Sequence, residues 1–425
     1  MSSLPRLRLP EFSDSDTYCP HKFDDIFLFS SGKNIKQNES SPEFSTPCVR
    51  YGELYHMYGE VITRTINNTN LEHSELTFSA GNEILLPSAG EDPLDIGSAS
   101  ALTLEGVAIG RTINVLRPKG TIDYSHIYVS YYINEKLRKR ISQLARGASI
   151  SNVYNSDLKT LKACLPTFPE QQKVASFLSK VDEKISLLTE KKDKLTEYKK
   201  GVMQQLFNGK WQEQDGLLTF IPPTLRFKAN DGSDFPDWEE IELGKLSKKS
   251  TDKNKDTSVS AVLTNSATQG IIPQADYFDR DIANQSNLDG YYVVKPNDFV
   301  YNPRISTPAP VGPINRNKLD VGVMSPLYTV FTVNKSVSLS YLEYFFKTTN
   351  WHRYMNSIAN FGARHDRMNI TTSDFFKMPI PVPCIEEQNK IVQFVSSIEQ
   401  KLDLANSELE KAKEWKKGLL QQMFV

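Results

Sequence analysis

Glu170-Gln171-Gln172-Lys173-Val174-Ala175-Ser176-Phe177 opens a stretch that returns as Glu387-Gln388-Asn389-Lys390-Ile391-Val392-Gln393-Phe394, and the match runs without a gap to Phe207 and Phe424. The offset is constant (387 − 170 = 217), and fifteen of the 38 aligned pairs are identical. Repetition at a fixed offset is the first thing to settle, because it decides how the rest of a chain is divided. This chain is a duplication.

Both copies predict long helices. Glu, Lys, Gln and Leu dominate them, and neither holds a proline beyond this point. Val174, Val181, Leu188, Leu195 and Val202 recur every seven residues in the first copy, with Leu178, Ile185 and Leu206 beside them. Ile391, Ile398, Ala405, Ala412 and Leu419 hold the same row in the second, joined by Val395, Leu402, Leu409 and Met423. An apolar repeat sustained over five heptads is a coiled-coil seam, so the two helices are expected to pack on each other. Pro166 and Pro169 precede one helix, and Pro379, Pro381 and Pro383 the other, fixing an extended approach. Asn208-Gly209 supplies a stop signal for the first, while the second is expected to run to Val425.

Outside the helices lie mixed segments. Runs such as Glu83–Leu86, Gly106–Ile109, Tyr291–Val294, Asp298–Tyr301 and Leu327–Phe331 are of β type, separated by Gly, Pro, Asn and Ser clusters. Each segment also predicts one short helix, near Ser125–Ser142 and Ser340–Ile358. The expected fold class is α+β: two globular mixed α/β domains, at 1–165 and 210–378, separated by two long antiparallel coiled-coil helices at 166–209 and 379–425, with a pseudo-twofold internal repeat.

Composition bounds the function. At 425 residues the chain is long enough for two domains. Its 39% hydrophobic and 24% charged residues are ordinary for a soluble protein, and no apolar run approaches the ~20 residues a bilayer requires. Met1–Arg6 lacks the basic start and apolar core of a signal peptide. Cys19, Cys48, Cys164 and Cys384 are widely spaced, as unpaired thiols of a cytoplasmic protein are. A net charge of -1 argues against a protein that grips DNA unaided, but not against one whose partners hold the phosphates.

Enzymatic signatures are missing. Gly32-Lys33, Gly209-Lys210 and Gly244-Lys245 each lack the leading glycine of a phosphate-binding loop, and no His-x-x-x-His pair suggests a metal. Glu190-Lys191-Lys192 has nuclease-like spacing, but it sits among Lys184, Asp193 and Lys194 on a solvated helix face. Tyr301-Asn302-Pro303-Arg304 approaches the loop with which adenine methyltransferases hold a flipped base, yet Arg304 stands where that loop needs a second proline. No catalytic residue, cofactor or metal is expected.

The layout resembles the specificity subunit of Type I restriction–modification systems over nearly the whole chain. The resemblance rests on Leu165-Pro166-Thr167-Phe168-Pro169-Glu170-Gln171 and Pro379-Ile380-Pro381-Val382-Pro383, followed by Glu387-Gln388, at the helix starts. It rests equally on Gly201-Val202-Met203-Gln204-Gln205-Leu206-Phe207 and Gly418-Leu419-Leu420-Gln421-Gln422-Met423-Phe424 at the helix ends. Arg226-Phe227 through Phe235-Pro236-Asp237-Trp238 also matches the family's domain opening, whereas Pro10-Glu11-Phe12 departs from its Pro-x-Trp form. The resemblance implies two target-recognition domains, each reading half of a bipartite asymmetric double-stranded DNA target. It also implies two methyltransferase subunits docked on the chain, and ATP-dependent restriction subunits in the full complex. A 38-residue helix is roughly 57 Å long, about 17 base pairs at ~3.4 Å per step, a spacer suited to two separated half-sites. The competing reading is a coiled-coil scaffold that binds proteins and no DNA.

Base edges are read by Arg at guanine and by Asn or Gln at adenine. The polar, Gly-containing loops before each long helix are therefore candidate DNA contacts: Arg146 and Asn152 in 145–154, and Arg364, Arg367 and Asn369 in 361–369. Arg304 and, in the first domain, Arg111 complete the set. A turn that docks the domain on its helix is the plainer alternative for both loops. Lys199, Lys200, Gln204 and Gln205, repeated as Lys416, Lys417, Gln421 and Gln422, are candidate partner contacts, because a seam does not require Lys and Gln at matched positions.

Overall fold

Both repeats form the long helices that their heptads predict. In a computed structural model that describes residues 5–14, 18–214, 217–277, 288–359 and 366–424, with backbone only at 210–219, they span Phe168–Phe207 and Ile385–Met423. We label these α2 and α4, and label the shorter helices His126–Tyr132 and Leu339–Phe346 α1 and α3. Each long helix starts two residues earlier than the repeat suggests. Pro169 is accommodated in the first turn of α2, where its missing N–H has no helical partner to lose.

The chain divides into two compact units, residues 1–190 with 406–425, and residues 191–405. In the first unit α1 lies in one apolar cluster with the start of α2 (Val174, Leu178, Val181) and the end of α4 (Leu419, Met423, Phe424). The second unit repeats this with α3, the end of α2 (Val202, Leu206, Phe207) and the start of α4 (Ile391, Val395, Ile398). Within each unit the two helix segments therefore run antiparallel. The short helices are less regular than expected. Ile133–Leu137 forms a π-helical turn directly after α1, and α3 breaks at Lys347–Trp351 before His352–Ile358.

Each unit has a sheet of its own, and the two sheets follow the same strand arrangement. In the first its order is Phe27–Ser31, Ile113–Pro118, Glu83–Pro87, Ser100–Leu102 and Val61–Ile62. In the second it is Ser247–Lys249, Thr329–Val333, Phe299–Tyr301 and Ile314–Arg316. A separate strand pair leads into each long helix, Cys19–Lys22 against Lys162–Leu165 and Glu239–Glu242 against Pro379–Val382. The first unit adds a second five-stranded sheet, while the second has two-stranded ribbons there. The common frame is shared and the periphery has diverged.

Gly209 was read as a helix stop, and its neighbours explain it differently. Its φ is not positive; instead, a Cβ there would fall 2.0 Å from the ring of Phe220. Close approach of the Phe220 ring, not a left-handed turn, favours a residue without a Cβ here.

Each unit holds one half-buried, partly desolvated histidine. Desolvation lowers the pKa of His126 in the first unit, against an opposing pull from Glu83, and lowers that of His352 in the second. The unfolded chain takes up these protons near pH 6.5 and the folded chain only at lower pH, so acid favours unfolding. Denaturant midpoints are expected to fall between pH 7.5 and 5.5, and His126→Gln to flatten the slope of the first unit alone. A slope unchanged by that substitution would count against the assignment.

Candidate nucleic-acid interface and partner surface

The duplicated Glu-Gln pair builds the joint between helix and domain. Glu170 is buried, and Arg8 grips it with Nε at 2.7 Å and Nη2 at 2.6 Å. Glu387 is buried in the same way, held by Arg226 at 3.0 and 2.8 Å and by Trp238 Nε1 at 3.0 Å. Tyr18, 3.4 Å from Glu170, stands where Trp238 stands in the second unit. The adjacent glutamines match as well. Gln171 accepts from the Ser125 N–H that begins α1 and donates to the Pro166 carbonyl; Gln388 does the same with Ser338 and Pro383. The Pro10-Glu11-Phe12 departure is thus no loss of the joint, because Arg8 and Tyr18 supply it. The arginine preceding an apolar residue, Arg8-Leu9 as Arg226-Phe227, was the available signal.

The helix ends are matched too. Phe424 packs on Tyr128 and Tyr132 of α1, with ring centroids at 5.1 and 6.3 Å, as Phe207 packs on Tyr341 and Phe345 of α3 at 5.3 and 6.2 Å. Last-turn carbonyls are satisfied from outside the helix: Leu7 N–H donates to Gln422, and the Asn350 amide to Phe207.

The partner candidates divide into two kinds. Lys199 is half-buried and pairs with Glu399 at 2.6 Å, where Tyr344 also donates at 2.7 Å. Lys416 pairs with Asp182 at 2.7 Å and Glu60 at 2.8 Å, beside the ring of Tyr131, whose hydroxyl donates to Asp182. Asp182 and Glu399 are themselves aligned in the repeat. Burial works against ionisation of Glu399, yet the Lys199 and Tyr344 hydrogen bonds outweigh it and hold its carboxyl below the usual range. The conserved spacing of Lys199 and Lys416 is accounted for inside each unit. Lys200, Gln204, Gln205, Lys417, Gln421 and Gln422 are exposed.

The DNA candidates gather around one strand end in each unit. In the first, Arg146 and Asn152 exchange two backbone hydrogen bonds at 3.0 and 2.8 Å, closing a loop in which a Cβ on Gly147 (φ +140°) would strike the Ile150 carbonyl at 2.0 Å. Arg146 reaches Asp157 at 3.0 Å and stays 75% exposed. Asn152, half-buried, lies antiparallel to Ala89, and Val153 N–H donates to Ser88 at 2.9 Å. Ser88 N–H in turn donates to Thr112 at 2.9 Å, which brings the exposed Arg111 to the same edge.

In the second unit Arg367 lies antiparallel to Arg304, and Met368 N–H donates to Pro303 at 2.8 Å. Ala89 and Asn152 in one unit are therefore the counterparts of Arg304 and Arg367 in the other. Arg304 is exposed, Asn369 is exposed, and Arg367 is half-buried with Nη2 3.5 Å from Asp366 and Nε without a hydrogen-bond partner among the described residues. The Arg367 hydrogen bond holds the Asp366 carboxyl below its ordinary pKa. Arg364 lies outside the described residues. Asn302 spends its amide on structure, accepting from Arg304 N–H and donating to the Asn265 carbonyl, each at 3.0 Å. Among the described residues no group of His, Cys, Asp and Glu could hold a metal ion, and no helix is long and apolar enough to cross a membrane.

The chain thus holds two mixed α/β units, each closed by segments of both duplicated long helices. The chain belongs to the Type I restriction modification DNA specificity family, whose domain it matches twice, over residues 16–197 and 236–414. It is similar to two specificity subunits of Methanocaldococcus jannaschii. One, a putative MjaX specificity subunit, is 26% identical over 73% of this chain and 70% of its own length. The other, the MjaVIII specificity subunit, is 23% identical over 80% of this chain and 77% of its own. The fold is that of the S subunit of a Type I system from M. genitalium, with a TM-score of 0.58 and 15% identity over 100% of this chain and 99% of that one. A second solved chain, from work on complex assembly and conformational transition of the type I R-M system, has a TM-score of 0.53 and 16% identity, covering 96% of both.

Proposed function

We propose that this chain is a non-catalytic, cytoplasmic specificity subunit whose two domains, at 1–165 and 210–378, each read one half of a bipartite asymmetric double-stranded DNA target. The helical segments 166–209 and 379–425 set the spacing and dock two methyltransferase subunits, and restriction subunits join the full complex. The observation that carries this reading is the matched strand-end site. The same position presents Ala89 and Asn152 in one unit and Arg304 and Arg367 in the other. A shared frame with unlike side chains at its rim suits two half-sites of different sequence, since asparagine favours adenine and arginine guanine. Arg111, Arg146 and Asn369 extend that rim, Arg364 is a further candidate contact on sequence grounds, and the chain brings no cofactor of its own.

Reconstitution with the methyltransferase subunit of the same system tests this. The complex is expected to methylate adenines in a split target, and exchange of residues 1–165 for those of another family member to change one half only. Change in both halves, or in neither, would sink the modular reading. At finer grain, Arg367→Ala is expected to relax preference at one base pair of one half-site by about 1–3 kcal/mol, and Asn152→Ala to do so in the other half. Methylation rates on single-base target variants would measure both.

A further inference from the structure

We infer that Ile150 of the first unit reads a thymine, through its 5-methyl group, in the half-site which that unit faces. This rests on the proposed function for the presence of DNA, and it adds an apolar reader to a rim of Arg and Asn.

Along 150–154 burial alternates. Ser151 and Val153 are buried, whereas Ile150 and Tyr154 are 55% and 58% exposed, with the half-buried Asn152 between them. Successive residues of an extended chain point to opposite faces, so Ile150, Asn152 and Tyr154 share the outward one. That face is fixed in place. Ser151 and Asn152 pair with Gly90 and Ala89, and Asn152 exchanges two backbone hydrogen bonds with Arg146. Asn152 Nδ2 also donates to the Ile150 carbonyl at 3.2 Å. On the other side of that carbonyl stands Gly147, where a Cβ would fall 2.0 Å from it. A lone exposed aliphatic residue is ordinary on a protein surface. Ile150 differs because its backbone is held by Asn152, the residue matched to Arg367 on the rim of the other unit.

Chemistry selects the occupant. Isoleucine has no hydrogen bond to offer a base edge, and an aliphatic group set against a phosphate would remove its water and give no hydrogen bond in exchange. Among the groups that base pairs display in the major groove, the thymine 5-methyl is the apolar one. Next-but-one residues of a strand stand roughly 7 Å apart, or two base steps of ~3.4 Å. The thymine therefore lies within two base pairs of the pair that Asn152 faces. In the second unit the positions matched to Asn152 and Tyr154 are Arg367 and Asn369, with Met368 buried between them. Both are polar.

Uracil tests the contact, because it pairs as thymine does and lacks only the methyl. The full chain, reconstituted with the methyltransferase subunit of the same system, is given duplexes of its mapped target. Each thymine of the half-site assigned to the first unit, by exchange of residues 1–165, is replaced in turn. One replacement is expected to lower kcat/KM for adenine methylation roughly fourfold, the contribution of one buried carbon group. Ile150→Ala should methylate the thymine and uracil duplexes equally well, with an unchanged thermal transition. Ile150→Val, which keeps a branched aliphatic side chain, should still distinguish them. Indifference of the natural chain to every uracil, or discrimination that survives Ile150→Ala, would overturn the contact and leave the functional reading in place. Weaker binding of the methyltransferase subunit by Ile150→Ala without DNA would also overturn it, assigning the side chain to a protein partner. Failure of the natural chain to direct methylation to any split target would overturn the functional reading and the contact together.

Discussion

Truncation after Gly418 is expected to cost the first unit roughly 5 kcal/mol, although the lost residues lie more than two hundred positions from most of that unit. Leu419, Met423 and Phe424 are all buried in its apolar cluster. Full burial of such side chains contributes about 1.5–3 kcal/mol each, against a total stability of about 5–15 kcal/mol for a domain. Loss of Phe424 empties the space over Tyr128 and Tyr132, and loss of the last turn removes the Gln422 carbonyl that Leu7 holds at 2.9 Å. Calorimetry should show one transition lost or moved far down, while that of residues 191–405 keeps its place. Two undisturbed transitions would refute the packing described for the helix end.

Glu387→Ala is expected to be nearly as damaging to the second unit, by about 3–5 kcal/mol. The carboxylate is fully buried and accepts from Arg226 and from Trp238. Its removal leaves the Trp238 indole N–H facing a cavity and takes from the half-buried Arg226 its buried partner, although the guanidinium keeps the Phe235 and Pro236 carbonyls and Asp237 at 3.7 Å. Glu387→Gln preserves shape and one acceptor, so it should recover part of the loss. Glu170→Ala should reproduce the result in the first unit through Arg8. Chemical unfolding of the three variants gives the comparison; equal stability of Glu387→Ala and the natural chain would mean that the joint is ornamental.

Much of this architecture was legible in the sequence. Identity at a fixed offset revealed the duplication, and seven-residue apolar spacing gave both long helices to within two residues at their starts. Apolar runs marked strands such as Glu83–Pro87 and Thr329–Val333. Periodicity reports which side of a helix is apolar, and that is where it failed. Nothing in the spacing marks Glu170 and Gln171 as buried, because their partners Arg8 and Ser125 are 162 and 46 positions away. Lys199 and Lys416 read as surface cations for the same reason, although Glu399 and Asp182 hold them. Correspondence of Asn152 with Arg367 needed the strand pairing itself, as the loops differ in length and share no motif.

The first unit draws its cluster from residues 1–190 and again from 406–425, whereas the second is continuous from 191 to 405. On the ribosome the continuous unit can therefore finish first, even though the other began earlier. The leading unit must wait, with Tyr128 and Tyr132 uncovered, until the final helical turns have been synthesised. At about 5–20 residues per second, that interval lasts on the order of ten seconds or more, and it is the stage at which a chaperone would be most needed.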